Sequence, residues 1–145
     1  MKLPILRPVF EVDRDSRTLS YWVPRLRRYH LTLIWKITVG MVGHETPSGV
    51  FSIEWKTRTP SWKAPDSDWV KPPVVVGQTY DFTDPINPFA GGFISFSKRD
   101  GVGIHGTKFP PQTGTASSHG CVRMAVKELD QLWPLAKVGS LVFVY

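Results

Sequence analysis

One cysteine, Cys121, occurs in 145 residues. An internal disulfide is therefore excluded, and so is a cysteine-rich zinc site, which needs several thiolates or a Cys/His set at ligand spacing. No stretch approaches the roughly 18 apolar residues of a spanning helix; the run from Leu31 to Val42 comes nearest and is broken by Lys36. The N-terminal run Met1-Lys2-Leu3-Pro4-Ile5-Leu6-Arg7-Pro8 has too few consecutive apolar residues and too many prolines for a secretory signal. No repeat, low-complexity tract or shift in composition marks an internal boundary. The length then predicts a single domain over 1–145, large enough to bury a core without covalent staples.

A thiol is a useful nucleophile only as the thiolate, which near neutral pH needs a base or a positive environment. His119 stands two positions before Cys121 and His105 sixteen before it (121 − 105 = 16). Between them Gly106, Gly114, Thr115, Ala116, Ser117, Ser118 and Gly120 add little bulk. Such a segment can fold back on itself and turn backbone N–H groups toward a substrate. The net charge of +6 attracts polyanions, and nucleic acid and the anionic polymers of a bacterial wall both answer to that. The densest basic run, Arg25, Arg27 and Arg28, stands beside Tyr21, Trp22 and Tyr29. Basic and aromatic clusters do occur in nucleic-acid binders, but a short run of this kind reads as a solvated hairpin tip.

β-Branched and aromatic residues predict strands over 9–12 and 18–23, joined by the turn Asp13-Arg14-Asp15-Ser16. A longer strand is expected over 29–39, with Leu31, Leu33, Trp35, Ile37 and Val39 as its apolar face and His30 on the polar one. Thr46-Pro47-Ser48-Gly49 has the chemistry of a tight turn feeding a strand over 50–55, with His44 in the exposed loop before it. Residues 57–87 are irregular and rich in proline and aromatics. A long loop of that content suits a substrate wall, and Trp62 and Trp69 either line such a wall or plug the edge of the core. Strands over 92–97 and 102–105, turned at Lys98-Arg99-Asp100-Gly101, deliver His105 to a strand end. Helical spacing follows over 125–136, with Val126, Leu129, Leu132 and Trp133 on one face. That arrangement sets Cys121 just before a helix, whose N-terminus favours a thiolate. A last strand covers 140–145. The expected fold class is mainly β with one principal helix after the nucleophile loop.

The stretch Ile104-His105-Gly106-Thr107, a loop of small residues, and then the seven consecutive residues Ser118-His119-Gly120-Cys121-Val122-Arg123-Met124 resembles the signature of the L,D-transpeptidase catalytic domains, the YkuD-type family. The resemblance extends upstream to Thr46-Pro47-Ser48-Gly49-Val50-Phe51, to Pro60-Ser61-Trp62-Lys63-Ala64-Pro65 and to Asn87-Pro88-Phe89, and so covers most of the chain from Phe10 to Tyr145. It implies a mixed β-sandwich-like fold and peptidoglycan stem peptides as substrate, with no cofactor and no metal.

The resemblance assigns Cys121 as nucleophile and His105 as base, with the Gly106 carbonyl orienting the imidazole. The N–H groups of Gly120 and Cys121, beside His119, would form the oxyanion hole. Arg123 would grip a stem-peptide carboxylate, or else brace the loop against an acidic neighbour. Ser118 is expected to shape the loop first and touch substrate second; Trp62 is expected to line the groove. The implied reaction is acyl transfer from a tetrapeptide stem, releasing D-alanine and giving a 3-3 cross-link; resolution by water would make the same site an L,D-carboxypeptidase. Location would be periplasmic or wall-facing, reached as an excised mature domain or by host lysis or a phage particle. Anionic wall polymers are possible partners; neither nucleic acid nor a membrane span is expected. Papain-like and NlpC/P60-like peptidases place the cysteine before its histidine, and no histidine follows Cys121 here. A non-catalytic wall- or polyanion-binding module is the rival from another class, supported by the charge and the tryptophans.

Overall fold

The computed structural model describes residues 6–108 and 113–145; the run read above for a secretory signal lies largely outside them. In chain order the strands are β1 (Val9–Asp13), β2 (Thr18–Arg25), β3 (Arg28–Lys36), β4 (Val39–Gly40), β5 (Gly49–Ser52), β6 (Trp55–Thr57), β7 (Trp62–Lys63), β8 (Thr79–Tyr80), β9 (Ala90–Ser97), β10 (Val102–Thr107), β11 (Ala116–Ser118), β12 (Val122–Ala125) and β13 (Leu141–Val144); the helix α1 (Val126–Leu132) lies between the last two.

β1 and β2 form the expected first hairpin. At its turn the Asp13 carboxylate accepts the backbone N–H groups of Asp15 and Ser16 at 2.9 and 3.0 Å, the local bond that makes a short acidic side chain a turn former. β1 also runs parallel to β13, and β13 antiparallel to β5, so the first sheet has the order β3-β2-β1-β13-β5. Alternation sends Phe10, Val12, Leu19, Trp35, Val142 and Val144 to its inner face, where they are buried. Leu31 and Leu33, expected to be buried with Trp35, are instead 50% and 38% exposed. β3 is the outermost strand, and a bulge opposite Tyr21 and Trp22 breaks the alternation halfway along it.

The second sheet has the order β12-β10-β9-β6. The strand expected over 50–55 is in fact two, because the chain crosses between sheets at Ile53. The Ile53 N–H donates to the Ser140 carbonyl and the Glu54 N–H to the Ser95 carbonyl, both at 2.8 Å. Ile94, Phe96, Val102, Ile104, Val122 and Met124 face the first sheet's apolar side chains and join them in one buried cluster. α1 contributes the fully buried Leu129 and Leu132.

That helix is shorter than the expected 125–136, and it does not follow the cysteine directly. Residues 122–125 extend as β12 because they pair with β10, so the loop that carries Cys121 ends in a strand. The long loop carries its own small hairpin, β7 with β8. Buried Asn87 latches its end: the side-chain amide donates to the carbonyls of Pro60, Tyr80 and Asp81 and its oxygen accepts the Phe89 N–H.

Candidate active site

β10 and β12 run parallel, with Ile104 opposite Val122 and His105 opposite Arg123. Successive side chains alternate sides, so the even-numbered pair enters the core and the odd-numbered pair emerges on the sheet's other face. Cys121, the residue before β12, has the parity of Arg123. The Arg123 charge acts to lower the pKa of both Cys121 and His105.

His105 is 3% exposed. Phe89 and Phe93 flank its ring, with centroids 4.8 and 6.1 Å away. Nδ1 lies 2.8 Å from the Gly106 carbonyl oxygen. A carbonyl only accepts, so Nδ1 carries the proton and, in the neutral ring, Nε2 holds the lone pair. Burial pulls the imidazole down to about 4; the Gly106 bond opposes this and the Arg123 charge adds to it. At neutral pH the ring is an uncharged base of fixed tautomer. It stands within β10, two residues short of the strand end expected for it.

Gly103 makes room here: a Cβ on it would sit 2.5 Å from the Phe93 ring and 2.4 Å from the Ile94 carbonyl oxygen. The Cys121 sulfur, on the half-buried residue, is 3.8 Å from the Gly101 carbonyl, to which its S–H donates weakly. Burial pushes the thiol up, while the Gly103 N–H and the Arg123 charge pull the other way. The stabilisation expected from a helix N-terminus is absent, since β12 separates the sulfur from α1. At rest, then, the pair is a neutral thiol and a neutral imidazole.

The loop before the cysteine is held by hydroxyls. Ser118 is fully buried; its Oγ accepts the Gly120 N–H at 3.2 Å and donates to the Cys121 carbonyl at 2.6 Å. Gly120 thus has its N–H, expected in an oxyanion hole, engaged by Ser118. It adopts φ 122°, where side chains are rarely found, so glycine is required there. Thr46, also fully buried, donates to the Gly120 carbonyl at 2.7 Å and accepts the Gly40 N–H at 3.0 Å. The sequence reading took Thr46 only as part of a turn; a hydroxyl bond spanning 74 positions leaves no local trace.

Arg123 is half-buried and forms no ion pair among the described residues, and its Nε is buried without a hydrogen-bond partner. The brace against an acidic neighbour is therefore not what the structure has. His119 lies under Trp69, 4.0 Å between ring centroids and 14° between planes, with His44 edge-on at 5.2 Å. Desolvation lowers the His119 pKa, helped by the His44 and Arg123 charges and opposed by Asp68. Trp62, expected in the groove, packs on Tyr80, its partner across β7 and β8. Trp69 is the tryptophan that reaches the site.

Among the described residues no group of three or more His, Cys, Asp or Glu side chains could hold a metal ion, and no helix is long and apolar enough to cross a membrane. Cavities of about 590 Å³ beside Arg7 and Lys137 and of about 430 Å³ beside Ser48 and Arg99 are lined by neither Cys121 nor His105.

Known proteins agree with this architecture. The chain is 30% identical over 108 residues to the YkuD protein of Bacillus subtilis, covering 74% of this chain and 50% of that one. It is 27% identical over 115 residues to YqjB of the same organism, covering 77% and 58%. It therefore spans little more than half the length of these relatives. Among solved structures, an L,D-transpeptidase from Mycobacterium smegmatis superposes with a TM-score of 0.74 at 16% identity, over 96% of this chain and 58% of that one. The Enterococcus faecium L,D-transpeptidase C442S mutant gives 0.70 at 22%, over 97% and 50%. These two likenesses establish the fold. The family model for the L,D-transpeptidase catalytic domain matches residues 7–144, nearly the whole sequence, and the chain belongs to that family.

Proposed function

We propose that residues 1–145 act as one catalytic domain, a peptidoglycan L,D-transpeptidase that works through Cys121 and faces the cell wall. The observation that supports the reading is the register of β10 and β12: His105, its tautomer fixed by Gly106, stands opposite Arg123, whose Nε has no partner, and Cys121 precedes Arg123 by two residues. Because thiol and imidazole are both neutral at rest, the proton moves as the bond forms. Sγ attacks the carbonyl carbon of the third stem residue and its proton passes to His105 Nε2. The oxyanion accepts from the Cys121 N–H, with His119 beside it, in place of the occupied Gly120 donor.

Collapse breaks the peptide bond; the imidazolium returns its proton to the departing D-alanine amine, leaving a thioester. An acceptor amine then attacks, loses its proton to Nε2, and the sulfur leaves and takes that proton back. The product is a 3-3 cross-link. Arg123, a half-buried cation without a carboxylate among the described residues, suits the stem-peptide carboxylate.

Intact-mass spectrometry after incubation with a carbapenem tests the nucleophile. One adduct on the wild type and none on Cys121→Ala is expected. No adduct, or an undiminished one on the variant, removes the enzymatic reading. Products from a tetrapeptide donor, with and without an acceptor amine, then separate cross-linking from hydrolysis.

A further inference from the structure

The segment 17–36, which contains the β2–β3 hairpin, accounts for most of the molecule's net charge. Between positions 16 and 44 there is no Asp or Glu, while Arg17, Arg25, Arg27, Arg28 and Lys36 contribute +5 of the net +6. Three of these arginines surround the apex, and the fourth apex residue, Leu26, is 98% exposed. Leu26 and Arg27 have φ of 48° and 64°. This is the left-handed geometry that a two-residue hairpin turn demands, which Asn-Gly adopts readily and leucine does not. Backbone strain is thus accepted to hold an apolar side chain in water among three guanidinium groups. Behind the apex, Leu31 opposite Trp22 and Ile34 opposite Ser20 continue the apolar surface on the sheet's outer face; Ile34 is 56% exposed.

We infer that this hairpin docks the protein on the surface of an anionic phospholipid bilayer, with Leu26 entering the headgroup boundary and Arg25, Arg27 and Arg28 meeting lipid phosphates. The pairing of charge with exposed hydrocarbon selects this partner. A soluble polyanion would satisfy the arginines and leave Leu26, Leu31 and Ile34 in water, whereas two copies meeting at this apex would oppose like charges. The placement also leaves the candidate active site free. From Arg28 to Lys36 the strand runs roughly 26 Å at about 3.3 Å per residue, and Thr38, just beyond, is the residue that bridges to Arg123. The apex and the site are at opposite ends of the hairpin.

Co-sedimentation of the full chain with vesicles of phosphatidylglycerol and phosphatidylcholine in equal parts, against phosphatidylcholine alone, tests this. The expected result is binding to the anionic vesicles only. Leu26→Gly should weaken it about tenfold, the worth of one buried leucine, and raise the melting temperature, since glycine relieves the positive φ. Replacing Arg25, Arg27 and Arg28 together by Gln should weaken it about a hundredfold. Carbapenem acylation should be unchanged in both variants. Absence of binding to anionic vesicles overturns the inference. So does binding that Leu26→Gly leaves intact, and so does complete competition by a soluble polyglycerol phosphate, which would assign the hairpin to a wall polymer.

Discussion

Trp69 lies flat on the imidazole of His119, 4.0 Å between ring centroids, and so ties the long loop to the residue two positions before the sulfur. With His44 edge-on to the same ring, His119 is held from two directions. Trp69→Ala should lower the rate of acylation by a carbapenem about tenfold with little loss of stability, and Trp69→Phe, which keeps a flat ring, should restore most of it. Stopped-flow acylation beside thermal melts checks this; an alanine variant as fast as the wild type would leave Trp69 no positioning role.

The His105 imidazole sits near pKa 4 against an ordinary 6.5. Below about 6.5 the unfolded chain takes up a proton that the folded chain refuses until about 4, so the unfolded state binds more protons in that window. Stability from this residue is therefore complete above 6.5 and lost as pH falls toward 4, amounting to about 3 kcal/mol at most. Urea denaturation across this range should show a steeper fall for the wild type than for His105→Gln.

Burial raises the Cys121 thiol, so the free protein should not behave as one with a preformed thiolate. Alkylation by iodoacetamide, followed against pH, should inflect above the ordinary thiol range. An inflection below neutrality would mean an ion pair at rest and would remove the concerted proton transfer proposed above.

Thr46 supplies one hydroxyl to two buried backbone groups, the Gly40 N–H and the Gly120 carbonyl. Thr46→Val keeps the shape and strands both, at a cost of about 1–3 kcal/mol. Chemical denaturation measures that loss, and acylation should slow as well, because Gly120 directly precedes Cys121, the proposed nucleophile.

Arg123→Gln should raise KM for a donor ending in a free carboxylate, with a loss of about tenfold to a hundredfold in kcat/KM, and matter far less for the same donor amidated. Equal losses on both donors would make Arg123 structural.

Much of this was legible locally. The hairpin 9–25, the turn at 98–101 and the face of α1 follow from turn chemistry and periodicity, which act between near neighbours. The apolar side of β3 is not legible locally, because alternation says which residues share a side but not that the strand lies at a sheet edge or is bulged. Trp62 and Trp69 read alike from sequence because both stand in the same proline-rich loop, and only the pairing of Trp62 with Tyr80 and the stacking of Trp69 on His119 separate them.

The order of residues alone determined that one thiol and an upstream imidazole are available and that strand outweighs helix, since these rest on identity and short-range pattern. Tertiary structure decided the rest. The parallel register of β10 and β12 sets His105 opposite Arg123, two residues after Cys121; the helix is kept from the sulfur by β12; and burial lowers the imidazole and raises the thiol. Those outcomes depend on contacts between distant segments and on water excluded by the whole fold, neither of which is written in any single stretch.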